Sequence, residues 1–238
     1  GTNKAVTVGG VTLTNGTGTA SNYVISSPVG LAGTITPKAL TLTGLVATDK
    51  VYDGTTSVSV SGGSLSGLVG SETLGVNLGG ASLVDKNAGT NKAVTVTGVA
   101  LTNGTGLASN YSIAPTAALT ATVTPKQLTV ANTTIADKTA DGTAIGEVAS
   151  VGTVSGVVQG DTVVLTGPNA AVTFNQTTPG TAIPAQVTGL TLTGTDAPNS
   201  RLPASVPTVG NIITRTTVAD GARYAAALPQ LPKPFISN

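Results

Sequence analysis

Ten carboxylates, four tyrosines and no histidine or cysteine bound the chemistry open to this 238-residue chain. Four of the carboxylates recur. Asp49 and Asp53 stand four residues apart, and Asp137 and Asp141 repeat that pair 88 residues later. Carboxylates placed once per unit are what Ca²⁺ at a joint between domains would use, although Ca²⁺ takes six or more oxygens. Two acids per unit is a short ligand set, and Asp before Gly-Thr is also the natural acceptor of an Asx turn. The turn is the expectation here. Ca²⁺ on Asp49, Asp53, Asp137 and Asp141 is the alternative, and no other cofactor is indicated.

Tyr23 and Tyr111 each follow Ser-Asn and lie 88 residues apart. Their faces could stack on a glycan. A tyrosine that caps a core and sends its hydroxyl to a polar partner is the expected role. Glu72 and Glu147 are the only glutamates, so an isopeptide bond catalysed by a buried acid is not expected. Asn15, Asn103, Asn110, Asn132 and Asn175 each begin an Asn-x-Ser/Thr sequon. In a chain this rich in Asn and Thr such triplets also arise by composition, and Asn-Gly has its own use in turns. Without His or Cys, the Ser-His-Asp and Cys-His arrangements cannot be built from these residues. A pair of acids could in principle hydrolyse a glycoside, but the acids sit in turn-like contexts. No glycine loop precedes a helix. The expectation is a protein that is not an enzyme.

These residues are placed by an internal repeat. Residues 1–8 and 89–96 both read GTNKAVTV. The same shift of 88 aligns Asn15-Gly16-Thr17-Gly18 with Asn103-Gly104-Thr105-Gly106, and Thr36-Pro37-Lys38 with Thr124-Pro125-Lys126. It also aligns Asp53-Gly54-Thr55 with Asp141-Gly142-Thr143. A diverged copy begins again near Val187-Thr188-Gly189-Leu190. Proline fixes φ and lacks an N–H, so Thr-Pro-Lys suits a junction between strands. Pro37, Lys38, Pro125 and Lys126 are therefore read as inter-domain joints. Residues 1–37 are the C-terminal half of a repeat, 38–125 a complete repeat, 126–215 a diverged repeat, and 216–238 an Ala/Pro-rich tail. A phase that starts each unit at Gly1, Gly89 and Gly180 is the other option.

Within a repeat the period is two. Val11-Thr12-Leu13-Thr14, Leu40-Thr41-Leu42 and Val94-Thr95-Val96 set an apolar residue on one face and Thr on the other. The chain holds 43 Thr and 31 Gly, with 39% hydrophobic, 3% aromatic and 9% charged residues. Branched small side chains suit a pleated surface. Asn-Gly and Asp-Gly turns recur between short strands, which points to a sandwich. Residues 219–228 could form one short helix, followed by an extended end at Pro229, Pro232 and Pro234. The net charge of +1 leaves no basic patch for nucleic acid, and no apolar run is long enough to insert in a membrane as a helix. A start at Gly rather than Met suggests a mature or excised piece of a longer protein.

The string Asp49-Lys50-Val51-Tyr52-Asp53-Gly54-Thr55-Thr56, preceded by Ile35-Thr36-Pro37-Lys38-Ala39-Leu40-Thr41, resembles the YDG-type repeats of large bacterial surface adhesins. These belong to filamentous-haemagglutinin-like exoproteins of two-partner secretion. The resemblance covers about residues 38–215, and the third copy departs from it, with Lys138-Thr139-Ala140-Asp141-Gly142-Thr143 lacking the Tyr. It implies an extracellular protein of the bacterial cell surface. The combined expectation is an all-β chain of tandem Ig-like β-sandwich repeats of about 88 residues, forming an extended rod. Such a rod would serve as a stalk in cell adhesion or biofilm matrix, with neighbouring repeats as partners and glycans or host and bacterial surfaces as targets. The alternative is a self-assembling filament or sheath in which identical chains complete one another by strand addition, with 216–238 as donor.

Overall fold

A computed structural model describes residues 1–26, 28–114 and 117–214. The helix expected at 219–228, and the 216–238 tail as strand donor, lie outside these residues. Every regular element among the described residues is a β-strand or a short 3₁₀ turn, so this part of the chain is all-β. It divides between Pro125 and Lys126 into two compact units.

The alternation of Leu with Thr decides the first strand of the first repeat. In Lys38–Ala47, Leu40 and Leu42 are buried while Thr41 and Thr43 face solvent. This strand lies between Val60–Ser66, antiparallel, and Tyr111–Ile113, parallel. A second sheet runs Lys50–Val51, Leu119–Thr124, Gly89–Thr97, Gly80–Leu83, with the first pair parallel and the others antiparallel. Leu74–Asn77 pairs antiparallel with Ala100–Asn103 as a two-stranded sheet that flanks the Gly80–Leu83 and Gly89–Thr97 hairpin in sequence. The core draws Leu40 and Leu42 from one sheet and Leu83, Val94, Ala121 and Val123 from the other, with Tyr52 between Lys50–Val51 and the turn that follows.

The second repeat keeps this plan. Its large sheet runs Lys138–Thr139, Val206–Ile213, Gly180–Thr188, Ala171–Phe174, Ile145–Gly146. Lys126–Gln127 pairs in parallel with Ser200–Arg201, just as Lys38 pairs with Tyr111 one repeat earlier. The core is Val172, Phe174, Ile183, Ala185, Val187, Val206 and Ile212.

The lost tyrosine is compensated inside this core. Tyr52 is 1% exposed, and its counterpart is Ala140. Leu83 pairs across from Val94, and Phe174 pairs across from Ala185 at the matching register. So the ring missing at 140 reappears at 174. Two glycines make the space. A Cβ on Gly146 would lie 2.6 Å from the Phe174 ring, and one on Gly210 would meet that ring at 3.2 Å and Ile135 at 2.5 Å. The first repeat has Val58 and Ala121 at these positions beside the smaller Leu83. The ring moves to a different wall of the core, and the smaller residues at 146 and 210 make room for it.

A bulge is also conserved. The ladder slips between Ala121 and Val123, and between Gly180 and Ile183. The extra residue takes positive φ, 51° at Asn91 and 52° at Ala182. Asn3, one repeat earlier, stands at 54°. Asn tolerates this left-handed region far better than Ala.

Residues 1–35 repeat the antiparallel pairing of Gly89–Thr97 with Leu119–Thr124. Lys4 pairs with Gly33 and Ala5 with Ala32, matching Lys92 with Ala121 and Ala93 with Thr120. The N–H of Ile35 donates to the Gly1 carbonyl at 2.9 Å, and that of Val6 to Leu31 at 2.9 Å. Identical sequence, however, meets a different fate. Val94 is 8% exposed and Val6 is 48% exposed. Residues 89–97 have Gly80–Leu83 beside them; residues 1–8 have no such neighbour among the described residues.

Candidate functional site

The Asp-Gly-Thr turn recurs with one constellation of polar contacts. Asp53 follows the short strand Lys50–Val51 and turns the chain through Gly54, whose φ is 80°. Its Oδ1 accepts from the Thr55 N–H at 2.9 Å and from the Thr55 hydroxyl at 2.8 Å. The Lys50 ammonium reaches the same oxygen at 2.7 Å, and donates to Thr55 Oγ1 at 3.0 Å and to the Ser57 carbonyl at 2.8 Å. The second repeat rebuilds it. Asp141 Oδ1 accepts from the Thr143 N–H at 2.8 Å and hydroxyl at 2.9 Å, and Lys138 lies 2.6 Å away. Both lysines have mostly covered side chains, while the two aspartates are about half exposed. The stem is packed and the carboxylate is wet.

The bonded lysine ammonium lowers the Asp53 pKa to about 2; burial opposes it, and the Thr55 N–H and hydroxyl add to the lowering. Lys138 holds Asp141 below the ordinary carboxylate range in the same way. An arrangement of one anion, one cation and a hydroxyl that satisfy each other is a clasp: it fastens a turn to its preceding strand. A third clasp fastens Asp85 to Lys92, whose ammonium also donates to the Asn87 carbonyl at 2.7 Å.

The remaining expected ligands are placed elsewhere. Asp49 Oδ1 accepts the Thr122 N–H at 2.6 Å, and Asp137 Oδ1 accepts from Asn211 Nδ2 at 2.9 Å. The structure thus brings a lysine to Asp53 and Asp141, and backbone or amide donors to Asp49 and Asp137. No group of three metal-ligating side chains occurs among the described residues. A shallow cleft of about 350 Å³ includes Asp137, Lys138, Asp141 and Glu147.

Tyr111 is 7% exposed, so its ring face is taken up by the protein. Its hydroxyl donates to Glu72 and accepts from the Val69 N–H at 3.2 Å, which ties the 69–72 turn to the Tyr111–Ile113 strand. The neighbouring Glu72 carboxylate raises the Tyr111 pKa. Tyr23, its counterpart, is 67% exposed. Asn15 and Asn103 use their side-chain oxygens on the N–H groups of Ala20 and Ala108, at 2.6 and 2.8 Å. These sequon asparagines stop the 3₁₀ turns Ala20–Asn22 and Ala108–Asn110 from fraying. Asn132 turns the chain at φ 59°. Pro37 and Pro125 precede Lys38 and Lys126, the first residues of the parallel pairs described above.

The lysine of the clasp is the residue the sequence reading missed. Its signal was present: Lys stands three residues before Asp in both copies, and is kept where Tyr is not. No described helix is long and apolar enough to cross a membrane. In comparison with known proteins, a YDG domain matches residues 36–118 and again 124–207. No curated protein and no solved structure matches the chain. With both complete repeats matched, and more than half of its length covered, the chain belongs to the YDG domain family and carries that domain twice in tandem.

Proposed function

We propose that the chain is a structural segment of a secreted bacterial cell-surface protein, a stalk that carries position rather than a catalyst. Each YDG domain is an Ig-like sandwich in the broad sense, and the tandem forms a stiff extended rod. The rod displays an adhesive region, or links cells within a biofilm matrix, and its targets are glycans or surface proteins. The observation that carries this reading is how the polar groups are used. Asp53, Asp141, Asp85, Glu72, Asp49 and Asp137 each bind a lysine, tyrosine, amide or backbone donor of their own domain. Groups occupied in this way fasten a module, whereas a reaction centre holds groups in reserve for a substrate. Modules repeated at a fixed spacing give length in proportion to copy number.

Small-angle scattering from the chain and from a version extended by one 88-residue repeat tests the reading. A rod gains maximum dimension in proportion to the added repeat. A gain that follows the cube root of mass, as for a globule, would refute it. A second reading, assembly of chains by strand addition, is favoured by the exposed apolar face of residues 1–35. Fibres that form with rising concentration in negative-stain images would support it; discrete particles at all concentrations would support the stalk.

A further inference from the structure

We propose that Asn103-Gly104 is a site of self-modification in the first YDG domain, where the Gly104 nitrogen closes on the Asn103 side-chain amide, expels ammonia and leaves the domain loosened. The inference does not depend on the stalk reading. Asn before Gly is a labile pair, because glycine has no side chain to shield its nitrogen. The chain holds two such pairs, Asn15-Gly16 and Asn103-Gly104, and each continues with Thr-Gly. At the second pair the fold requires both residues. The loop 104–106 wraps Thr73: Thr105 Oγ1 accepts the Thr73 N–H at 2.8 Å, and the Gly106 N–H donates to the Thr73 carbonyl at 3.1 Å. A Cβ on Gly104 would collide with that carbonyl, so only glycine fits. Asn103 ends the strand Ala100–Asn103, and its Oδ1 holds the Ala108 N–H at 2.8 Å. The second domain meets the same demand without the liability. A Cβ on Gly194 would collide with the Thr162 carbonyl, but the residue ahead of it is Thr193, which carries no side-chain amide.

Gly104 is exposed, and among the described residues its N–H donates no hydrogen bond. Hydroxide can therefore take its proton. The nitrogen then bonds to Asn103 Cγ, and negative charge develops on Oδ1, where the Ala108 N–H already donates. The bond from Cγ to Nδ2 breaks, ammonia leaves with a proton from water, and a five-membered imide ring remains. Water adds to either ring carbonyl and opens it to aspartate or to isoaspartate, in which the backbone runs through the former side chain. Nothing is oxidised or reduced. The formal net charge falls from +1 to 0, because a neutral amide becomes a carboxylate. Isoaspartate puts one more carbon into the backbone just ahead of Gly104, which cannot then keep its place against Thr73. The new carboxylate also joins the side of the domain where Glu72 lies against Gly106, and like charges repel. The turn Ala108–Asn110 and the Tyr111–Glu72 bond behind it are the contacts that give way.

The test ages the full chain at mildly alkaline pH and maps its peptides by mass, with fragmentation that separates aspartate from isoaspartate. Asn15-Gly16-Thr17-Gly18 is a reference of identical sequence within the same molecule. In urea the two asparagines should convert at equal rates. In the folded chain Asn103 should convert as well. If Asn103 stays intact while Asn15 converts, the fold protects the pair and the proposal is overturned. In an Asn15→Ser background, the chain converted at Asn103 is separated by its extra negative charge. Hydrogen exchange at 104–111 should be faster in it, and the urea midpoint of the first domain lower, with the second domain unchanged. Equal exchange and an equal midpoint would overturn the loosening. Asn103→Thr copies Thr193-Gly194. It should gain no negative charge on ageing and keep its exchange at 104–111 constant over the same time. An Asn103→Thr chain that loosens with age as the wild type does would overturn the proposal, because the change would not come from this pair.

Discussion

Replacing Tyr52 by Ala should unfold the first repeat well before the second. Tyr52 is 1% exposed and is the largest of the fully buried side chains. Truncating a buried aromatic ring to Ala costs about 3–5 kcal/mol, from lost transfer energy and the cavity left behind. A domain of this size is stable by about 5–15 kcal/mol, so the variant forfeits a large fraction. Urea unfolding followed by circular dichroism should split, with one transition moved to lower urea and the other unchanged. Adding Leu83→Phe to Tyr52→Ala places a ring where Phe174 stands, but Val58 and Ala121 fill the space that Gly146 and Gly210 leave open, so it should recover little of the loss. A loss below about 1 kcal/mol for Tyr52→Ala, or a double variant as stable as the wild type, would refute the packing argument.

Other outcomes follow from the same contacts. Lys50→Met keeps the packed stem but removes the ammonium, and should cost about 1–2 kcal/mol, reduced by solvent around the exposed carboxylate; an unchanged urea midpoint would show that the clasp contributes nothing. Asp53 has its folded pKa lowered to about 2, beneath the unfolded value of about 3.9. Its contribution to stability is therefore complete above the unfolded value and is lost as pH falls toward 2. Thermal melts from pH 5 to pH 2 should show this decline in the wild type, and a shallower one in Asp53→Asn. Ala182→Asn should raise stability by about 0.5–1 kcal/mol, because Asn accepts the left-handed backbone that Asn3 and Asn91 already occupy; a lower melting temperature would refute the strain argument.

Much of this architecture could be read from residue order. Alternation of Val or Leu with Thr placed the strands Lys38–Ala47 and Gly89–Thr97, but Val11-Thr12-Leu13-Thr14 forms no strand and its Val and Leu are exposed; the shift of 88 located equivalent positions, because each copy faces the same packing problem. Asp53 and Asp141 as Asx-turn acceptors were legible from Asp-Gly-Thr alone. Lys50 and Lys138 were not, since a lysine three residues from an aspartate reads as a solvated charge until the strand preceding the turn brings its ammonium back. The ring swap from 52 to 174 was hidden for a related reason. Aligned one position at a time, Ala140 shows a loss; only cross-strand register reveals that Phe174 fills the core and that Gly146 and Gly210 admit it. Tyr23 and Tyr111 looked equivalent. They differ because burial depends on the partner half, which no property of the residue itself encodes.

Pulling single molecules from both ends tests whether each repeat is a self-contained mechanical module. Two separate unfolding events should appear, each releasing roughly 30 nm of chain, the extended length of one repeat less its folded span. Residues 1–37 should add no high-force event of their own. One event that releases both repeats together, or a gradual extension with no distinct events, would contradict the account.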